Sequence, residues 1–94
     1  MPRAVSLRIS APVERAALPA LFERTCALLE ASHASILRCE VAGVCADAVA
    51  VDALARLALV ARRRGCAVRL CGASEELLAL VALLGLADVL HEGP

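Results

Sequence analysis

Hydrophobic and polar positions recur along this chain with two different periods. Residues 5–9 alternate apolar and polar side chains, which is typical of a strand with one buried face. The short runs 36–41 and 66–71 are also predicted strands, and the first is apolar enough to be central in a sheet. Residues 10–12 are a predicted turn, and 86–90 is either a last strand or a half-turn packed on the core.

The segment between the first and second predicted strands shows a helical periodicity. Apolar side chains between residues 17 and 31 fall on one side of a helical wheel. Pro19 is compatible with a helix only in its first turn, so the helix is expected to start near Ala17. The predicted core positions of this helix are Leu18, Leu21, Phe22, Thr25, Leu28 and Leu29.

Two further helices are predicted in the second half of the chain. The first covers 51–64, with arginines in its last turn and Gly65 as the residue that ends it. Ser74 is the predicted N-cap of the next helix, which Gly85 ends. The order β-α-β-α-β-α predicts a single α/β domain over 1–94, with a small, mainly parallel or mixed sheet and right-handed crossover helices.

Composition limits the function classes that this fold can serve. Hydrophobic residues make up 61% of the chain and aromatic residues 1%, so the core is expected to consist of Leu, Val and Ala. The net charge is zero, which argues against a nucleic-acid partner. No apolar run reaches the roughly 20 residues of a membrane span, and the N-terminus has no export pattern, so we expect a cytosolic protein without membrane insertion.

The residues of the chain give little support for catalysis. Five cysteines occur without a CxxC pair, so they are expected to be small hydrophobes in a reducing compartment rather than metal ligands. The five glycines are isolated, and no phosphate-binding loop results. We therefore predict no metal, no cofactor and no enzymatic activity.

The junction between the second strand and the second helix reads VCADAVAVDAL over residues 44–54. Its two carboxylates, Asp47 and Asp52, could form a general acid/base pair. The favoured interpretation of Asp52 is structural, because it is expected in the first helical turn with Arg56 four residues later. Two roles remain open for Asp47: it caps the loop, or it contacts a partner.

The second predicted helix contains one misplaced apolar residue. Its core face comprises Val51, Leu54, Leu57, Ala58 and Ala61. Leu59 falls instead among the polar residues Asp52, Arg56 and Arg63 on the opposite side. Isolated exposed leucines are common, so Leu59 is either such a residue or an apolar anchor for a partner inside a polar rim.

Taken in order, these segments resemble the STAS domain, the fold of bacterial anti-sigma-factor antagonists and of some lipid-transport accessory proteins. ISAPVERAALPALFERTCALLEAS resembles the first helix of the family with its lead-in, and ILRCEVAGV its central strand, in which Glu40 matches a usual acidic residue. VDALARLALVARRRGCAVRLCGASEELLALVALLGLADVL resembles the second half of the family. The resemblance covers nearly the whole chain and implies a protein-interaction domain.

The chain departs from the family pattern at its regulatory position. Family antagonists carry a pattern like Asp-Ser-Ser/Thr-Gly at the start of the second helix, and this motif falls on Asp47, Ala48, Val49 and Ala50. Ala48 occupies the phosphoacceptor position and has no hydroxyl. The resemblance therefore implies the fold and a docking surface, but argues against phosphorylation at this loop.

These observations predict a non-catalytic interaction domain that binds through the loop 44–50 and the outer face of the second helix. The predicted partner-binding residues are Asp47, Ala48, Val49, Asp52, Arg56 and Leu59. The resemblance implies an anti-sigma factor with a kinase-like ATPase fold, or a transporter ATPase subunit, as the partner.

Four alternatives remain open from the sequence. The chain is an accessory subunit of a lipid or ABC transporter, it binds a small apolar ligand in a Leu/Ala/Val-lined cavity, or it senses redox state through Cys45. Three predicted strands make a thin sheet, so a fourth comes from the tail or from a partner chain, and the latter would produce a homodimer.

Overall fold

A computed structural model of the chain describes residues 3–9 and 12–93, in which strands and α-helices alternate. The elements are β1 (Ala4–Arg8), α1 (Leu18–Ser32), β2 (Ile36–Glu40), α2 (Ala48–Arg63), β3 (Ala67–Cys71), α3 (Glu75–Leu83) and β4 (Leu90–Glu92). A turn of 3-10 helix, Arg15–Ala17, leads into α1. The predicted α/β class is confirmed.

The strands form one parallel sheet in the order β1-β2-β3-β4. The central position predicted for β2 is confirmed, and the fourth strand comes from the tail. Of the two alternatives predicted for 86–90, the half-turn packed on the core is observed: Leu86 N donates to Val81 O and Leu90 N donates to Leu86 O, both at 2.9 Å, and Leu86 and Val89 pack against the core. The strand begins only at Leu90.

The register of the sheet separates a buried face from an open one. Alternate strand residues lie in rows across the sheet; in one row Leu37, Val68 and Leu90 belong to the core and Val5, half-buried, packs against it. The next row on the same face contains Leu7, Cys39 and Leu70, all buried. The strand residues that alternate with these and so lie on the opposite face of the sheet are all exposed or half-buried.

The three helices cover the buried face. A parallel sheet whose strands follow in sequence order has every crossover running in the same direction, and right-handed crossovers then place every helix on one side. In agreement, α1 packs on β1 and α2 packs on β3, while α1 and α3 both contact α2. The core is built mainly from Leu, Val and Ala, as predicted, with Leu57 and Leu77 fully buried.

Helix α1 starts close to the predicted position. Pro19 lies in its first turn, where its missing N–H removes no helical hydrogen bond. Thr25 is buried, and its hydroxyl donates to Leu21 O at 2.8 Å, which allows a polar side chain on the core face. Of the turn predicted at 10–12, residues 10 and 11 lie outside the described residues.

Helix α2 begins at Ala48, three residues before the predicted start. The reason is Asp47, whose carboxylate caps the helix there; the predicted end is close, since Gly65 follows α2 with φ of 70°. The cap predicted for α3 is confirmed, because Ser74 Oγ accepts from Leu77 N at 3.1 Å.

Candidate docking surface

The loop 41–47 connects β2 to α2 at the carboxyl edge of the sheet. Val41 and Val44 are buried and anchor it to the core. Val44 N donates to Val41 O at 3.0 Å, which closes a tight turn around Gly43, whose φ of 83° suits glycine. The loop is therefore held in a defined shape by its own apolar side chains.

The next loop packs directly against this one. Val41 N donates to Cys71 O at 3.0 Å, and a Cβ on Gly72 would lie 3.3 Å from Ala42 Cβ. With φ of 74°, Gly72 combines a left-handed backbone with this close approach. Backbone and methyl groups meet at this point of the carboxyl edge, where many α/β proteins carry polar ligand-binding side chains.

Asp47 is the N-cap of α2. Its backbone is extended, and its Oδ1 accepts a hydrogen bond from Ala50 N at 2.8 Å. The carboxylate thus satisfies one of the free amides at the helix N-terminus and complements the positive end of the helix dipole. Of the two roles left open by the sequence, the structure shows capping; the exposed side chain also borders the surface described below.

The placement of Asp52 in the first turn of the helix is wrong. Because α2 starts at Ala48, Asp52 is its fifth residue and gains less from the helix dipole. The predicted pair with Arg56 is confirmed, with 3.2 Å between Arg56 Nε and Asp52 Oδ2. Both side chains are solvated, so the pair contributes about 0.3–0.5 kcal/mol and mainly fixes their positions.

Five of the six predicted partner-binding residues form one continuous stripe. Ala48, Asp52, Arg56 and Leu59 follow each other at spacings of four, four and three residues, which keeps them within about 80° of helix circumference over about 17 Å. Asp47 stands at the head of the stripe. We call these five residues the docking stripe.

Two residues give the docking stripe its character. Leu59 has 50% of its surface exposed, as its position among polar residues predicted. Ala48 is exposed at the first position of α2 and offers only a methyl group there. Val49 is half-buried beside the stripe.

Sequence reasoning missed two other exposed apolar residues. Leu83 and Leu84, at the end of α3, are 80% and 55% exposed. The periodicity does not identify them, because α3 is apolar on most of its circumference and has no clear polar side.

The cysteines differ sharply in their surroundings. Cys39 is fully buried, and burial, with further contributions from the Cys71 and Cys66 thiols, raises its pKa to about 12. Burial also raises the pKa of Cys66. Cys45 is exposed in the loop before α2. Among the described residues, no group of three or more His, Cys, Asp or Glu side chains is placed to hold a metal ion.

Three surface clefts lie away from the docking stripe, and each contains charged residues. The cleft of about 400 Å³ at the amino end of β3 includes Arg62 and Asp88. A second, of about 230 Å³, lies beside α1 and includes Glu14 and Arg24. The third, of about 440 Å³, contains the pair Arg64–Glu30. None of these three has the purely Leu/Ala/Val lining expected for an apolar ligand.

Within residues 3–9 and 12–93, no helix combines the length and apolar character needed to cross a membrane. Comparison of the chain with protein-family models and with curated protein sequences finds no match.

Proposed function

We propose that this chain is a non-catalytic interaction domain, similar to the STAS domains of anti-sigma-factor antagonists, that binds a partner protein through the docking stripe. The partner is an anti-sigma factor with a kinase-like ATPase fold. The STAS resemblance of the sequence and the alternating α/β order support this assignment.

The observation that carries the proposal is the exposure of Leu59 within an ordered polar stripe. Binding sites concentrate their energy in a few apolar or aromatic anchors surrounded by polar residues that exclude water. Leu59 follows the mutually bonded pair Asp52–Arg56 on the same face. Docking would bury the leucine and leave the charged groups at the rim.

The proposal includes constitutive binding. A phosphate on a residue at the start of α2 would place about −2 charges within the docking stripe and alter docking. Ala48 cannot be phosphorylated, so a kinase cannot release this partner through position 48. Regulation would then depend on the abundance of either protein.

A second candidate role uses the same docking stripe. In that role the chain is an accessory subunit of a lipid or ABC transporter, and its partner is a transporter ATPase subunit. The binding of a small apolar ligand, redox sensing by Cys45, and a homodimer stay predictions. Native mass spectrometry of the purified protein tests the ligand and the dimer together, because a retained ligand or a doubled mass would be seen directly.

The experiment is co-purification of the tagged chain with the products of neighbouring genes, followed by titration of the purified pair. Leu59→Arg is compared with Leu83→Arg, which introduces the same charge at an exposed leucine of another helix. We expect Leu59→Arg to weaken binding by about tenfold or more, and Leu83→Arg to change it by less than about twofold.

If wild type and Leu59→Arg bound the partner with equal affinity, binding through the docking stripe would be contradicted. Equal losses in both variants would indicate a nonspecific charge effect and would also contradict it. Thermal unfolding of both variants checks that they are folded, as we expect because both side chains are exposed in the wild type.

A further inference from the structure

The cleft of about 400 Å³ at the amino end of β3 contains two charges that do not neutralise each other. It lies between the last turns of α2 and the residues that lead into β4. Arg62 and Asp88 both line it, yet neither side chain forms an ion pair with another side chain among the described residues. In the cleft of about 440 Å³, by contrast, Arg64 and Glu30 pair at 3.1 Å. The first cleft therefore holds a cation and an anion that are both available to a ligand.

Much of the remaining lining of this cleft is apolar. Ala58 and Val68 belong to the core, and the half-buried Val89 packs against it, so all three present apolar surface to the cleft. Gly65 also lines the cleft, and its φ of 70° suits a glycine, which leaves the cleft free of a side chain at this point. Ligand sites typically measure about 300–1,000 Å³ and combine apolar walls with a few polar groups that orient the ligand. This cleft has both features.

We propose that this cleft binds a free amino acid with an apolar side chain, at a site separate from the docking stripe. The carboxylate of the ligand would accept paired hydrogen bonds from the Arg62 guanidinium, whose planar fork matches two carboxylate oxygens. The ammonium group would pair with Asp88. Because the cleft adjoins the last turn of α2, the negative end of that helix dipole also favours the ammonium group. The apolar side chain of the ligand would contact Val68 and Val89.

Other classes of small ligand leave one of the two charges opposed or without a partner. A dicarboxylate or a phosphate would bring negative charge against Asp88, and a diamine would bring positive charge against Arg62. A wholly apolar ligand would remove both charged side chains from water without giving either a partner, which is costly. A nucleobase would find no aromatic surface to stack on, because the one aromatic residue of the chain, Phe22, does not line the cleft. A zwitterion satisfies both charges at once.

The test titrates L-leucine into ¹⁵N-labelled protein and follows the ¹H–¹⁵N spectrum. Because the cleft is open and the ligand is small, we expect a Kd of about 0.1–10 mM, with shifts at residues 65–68 and 88–91. Two analogues of leucine are the ligand controls: isocaproate lacks the ammonium group, and isoamylamine lacks the carboxylate. Each analogue loses one charge-assisted hydrogen-bonding group, so each is expected to bind at least about tenfold more weakly than L-leucine.

Arg62→Gln and Asp88→Asn test the two charges separately. The matched control is Arg63→Gln, at an exposed arginine that follows Arg62 in α2 and does not line the cleft. We expect each of the first two variants to lose about tenfold in affinity for L-leucine, and Arg63→Gln to lose less than about twofold. Asp88→Asn should also bind L-leucine and isocaproate about equally. All three side chains are exposed, so the variants should fold, which thermal unfolding without ligand checks.

Several results would overturn the proposal. One is the absence of a saturable shift up to about 50 mM L-leucine. Shifts confined to α1 or to the docking stripe would place the ligand elsewhere. Equal binding of L-leucine and isocaproate by wild type, or an unchanged affinity in Asp88→Asn, would exclude the pairing of the ammonium group with Asp88. Leu59→Arg should bind L-leucine normally, so this site and the docking stripe can fail independently.

Discussion

Replacing Asp47 with alanine tests whether the start of α2 depends on a single carboxylate. The side chain makes one short hydrogen bond, 2.8 Å from Oδ1 to Ala50 N, which an alanine at this position cannot make. Loss of an N-cap of this kind costs about 1 kcal/mol, and loss of the negative charge at the positive end of the helix costs about 0.3–1 kcal/mol. We expect a total of about 1.5 kcal/mol.

In a domain of this size, a loss of stability of about 1.5 kcal/mol should lower the melting temperature measurably. A loss of 1 kcal/mol lowers Tm by about 4–8 °C for a domain of about 60–100 residues, so Asp47→Ala should unfold about 6–12 °C below wild type. Urea unfolding followed by far-UV circular dichroism should give a lower midpoint at an unchanged slope.

Asp47→Asn provides the matched control. An asparagine side-chain oxygen can still accept from Ala50 N, while the charge is removed, so the loss should be only the charge term of about 0.3–1 kcal/mol. If Asp47→Ala were as stable as wild type, or if the two variants lost equal stability, the assignment of Asp47 as a cap would be refuted.

Three further predictions follow from the core and the cysteines. Leu57→Ala removes a fully buried side chain and should cost about 2–5 kcal/mol in urea unfolding, whereas Leu83→Ala, at an exposed site, should cost under about 0.5 kcal/mol; equal costs would contradict the assigned core. The pKa of the Cys39 thiol is about 12 in the folded chain and near 9 in the unfolded chain. Because only the unfolded chain loses this proton between pH 9 and pH 12, the free energy of unfolding should fall as the pH rises through that range. Cys39→Ala should reduce this dependence of stability on pH. An identical slope in both proteins would argue against a buried neutral thiol. At neutral pH, iodoacetamide should modify Cys45 well before Cys39 or Cys66, as read by peptide mass spectrometry; uniform labelling would contradict their burial.

The main elements could be predicted from the sequence because their periodicities are clear. Both α1 and α2 have apolar stripes. The helix boundaries indicated by Pro19, Gly65 and Ser74 agree with the structure. The start of α2 was predicted three residues too far along the chain because residues 48–50 are small and apolar and show no amphipathic period. Asp47 itself was the available signal, since aspartate is a favoured N-cap.

Features that depend on strand pairing could not be predicted. The sequence shows that Arg38 and Arg69 alternate with apolar residues, but their register as neighbours follows from how β2 and β3 align. The same limit applies to β4, because Leu90–Glu92 is short and polar and gains its strand conformation by pairing with β3. The exposure of Leu59 could be predicted, because it depends on one helix alone.

We propose above that the docking stripe holds a partner protein. Hydrogen–deuterium exchange of the chain, free and in complex with the co-purified partner, measures this directly. We expect protection that centres on the loop 44–47 and on residues 48–59 of α2, with no change in α1. Protection confined to α1, or an unchanged exchange rate throughout α2, would contradict it.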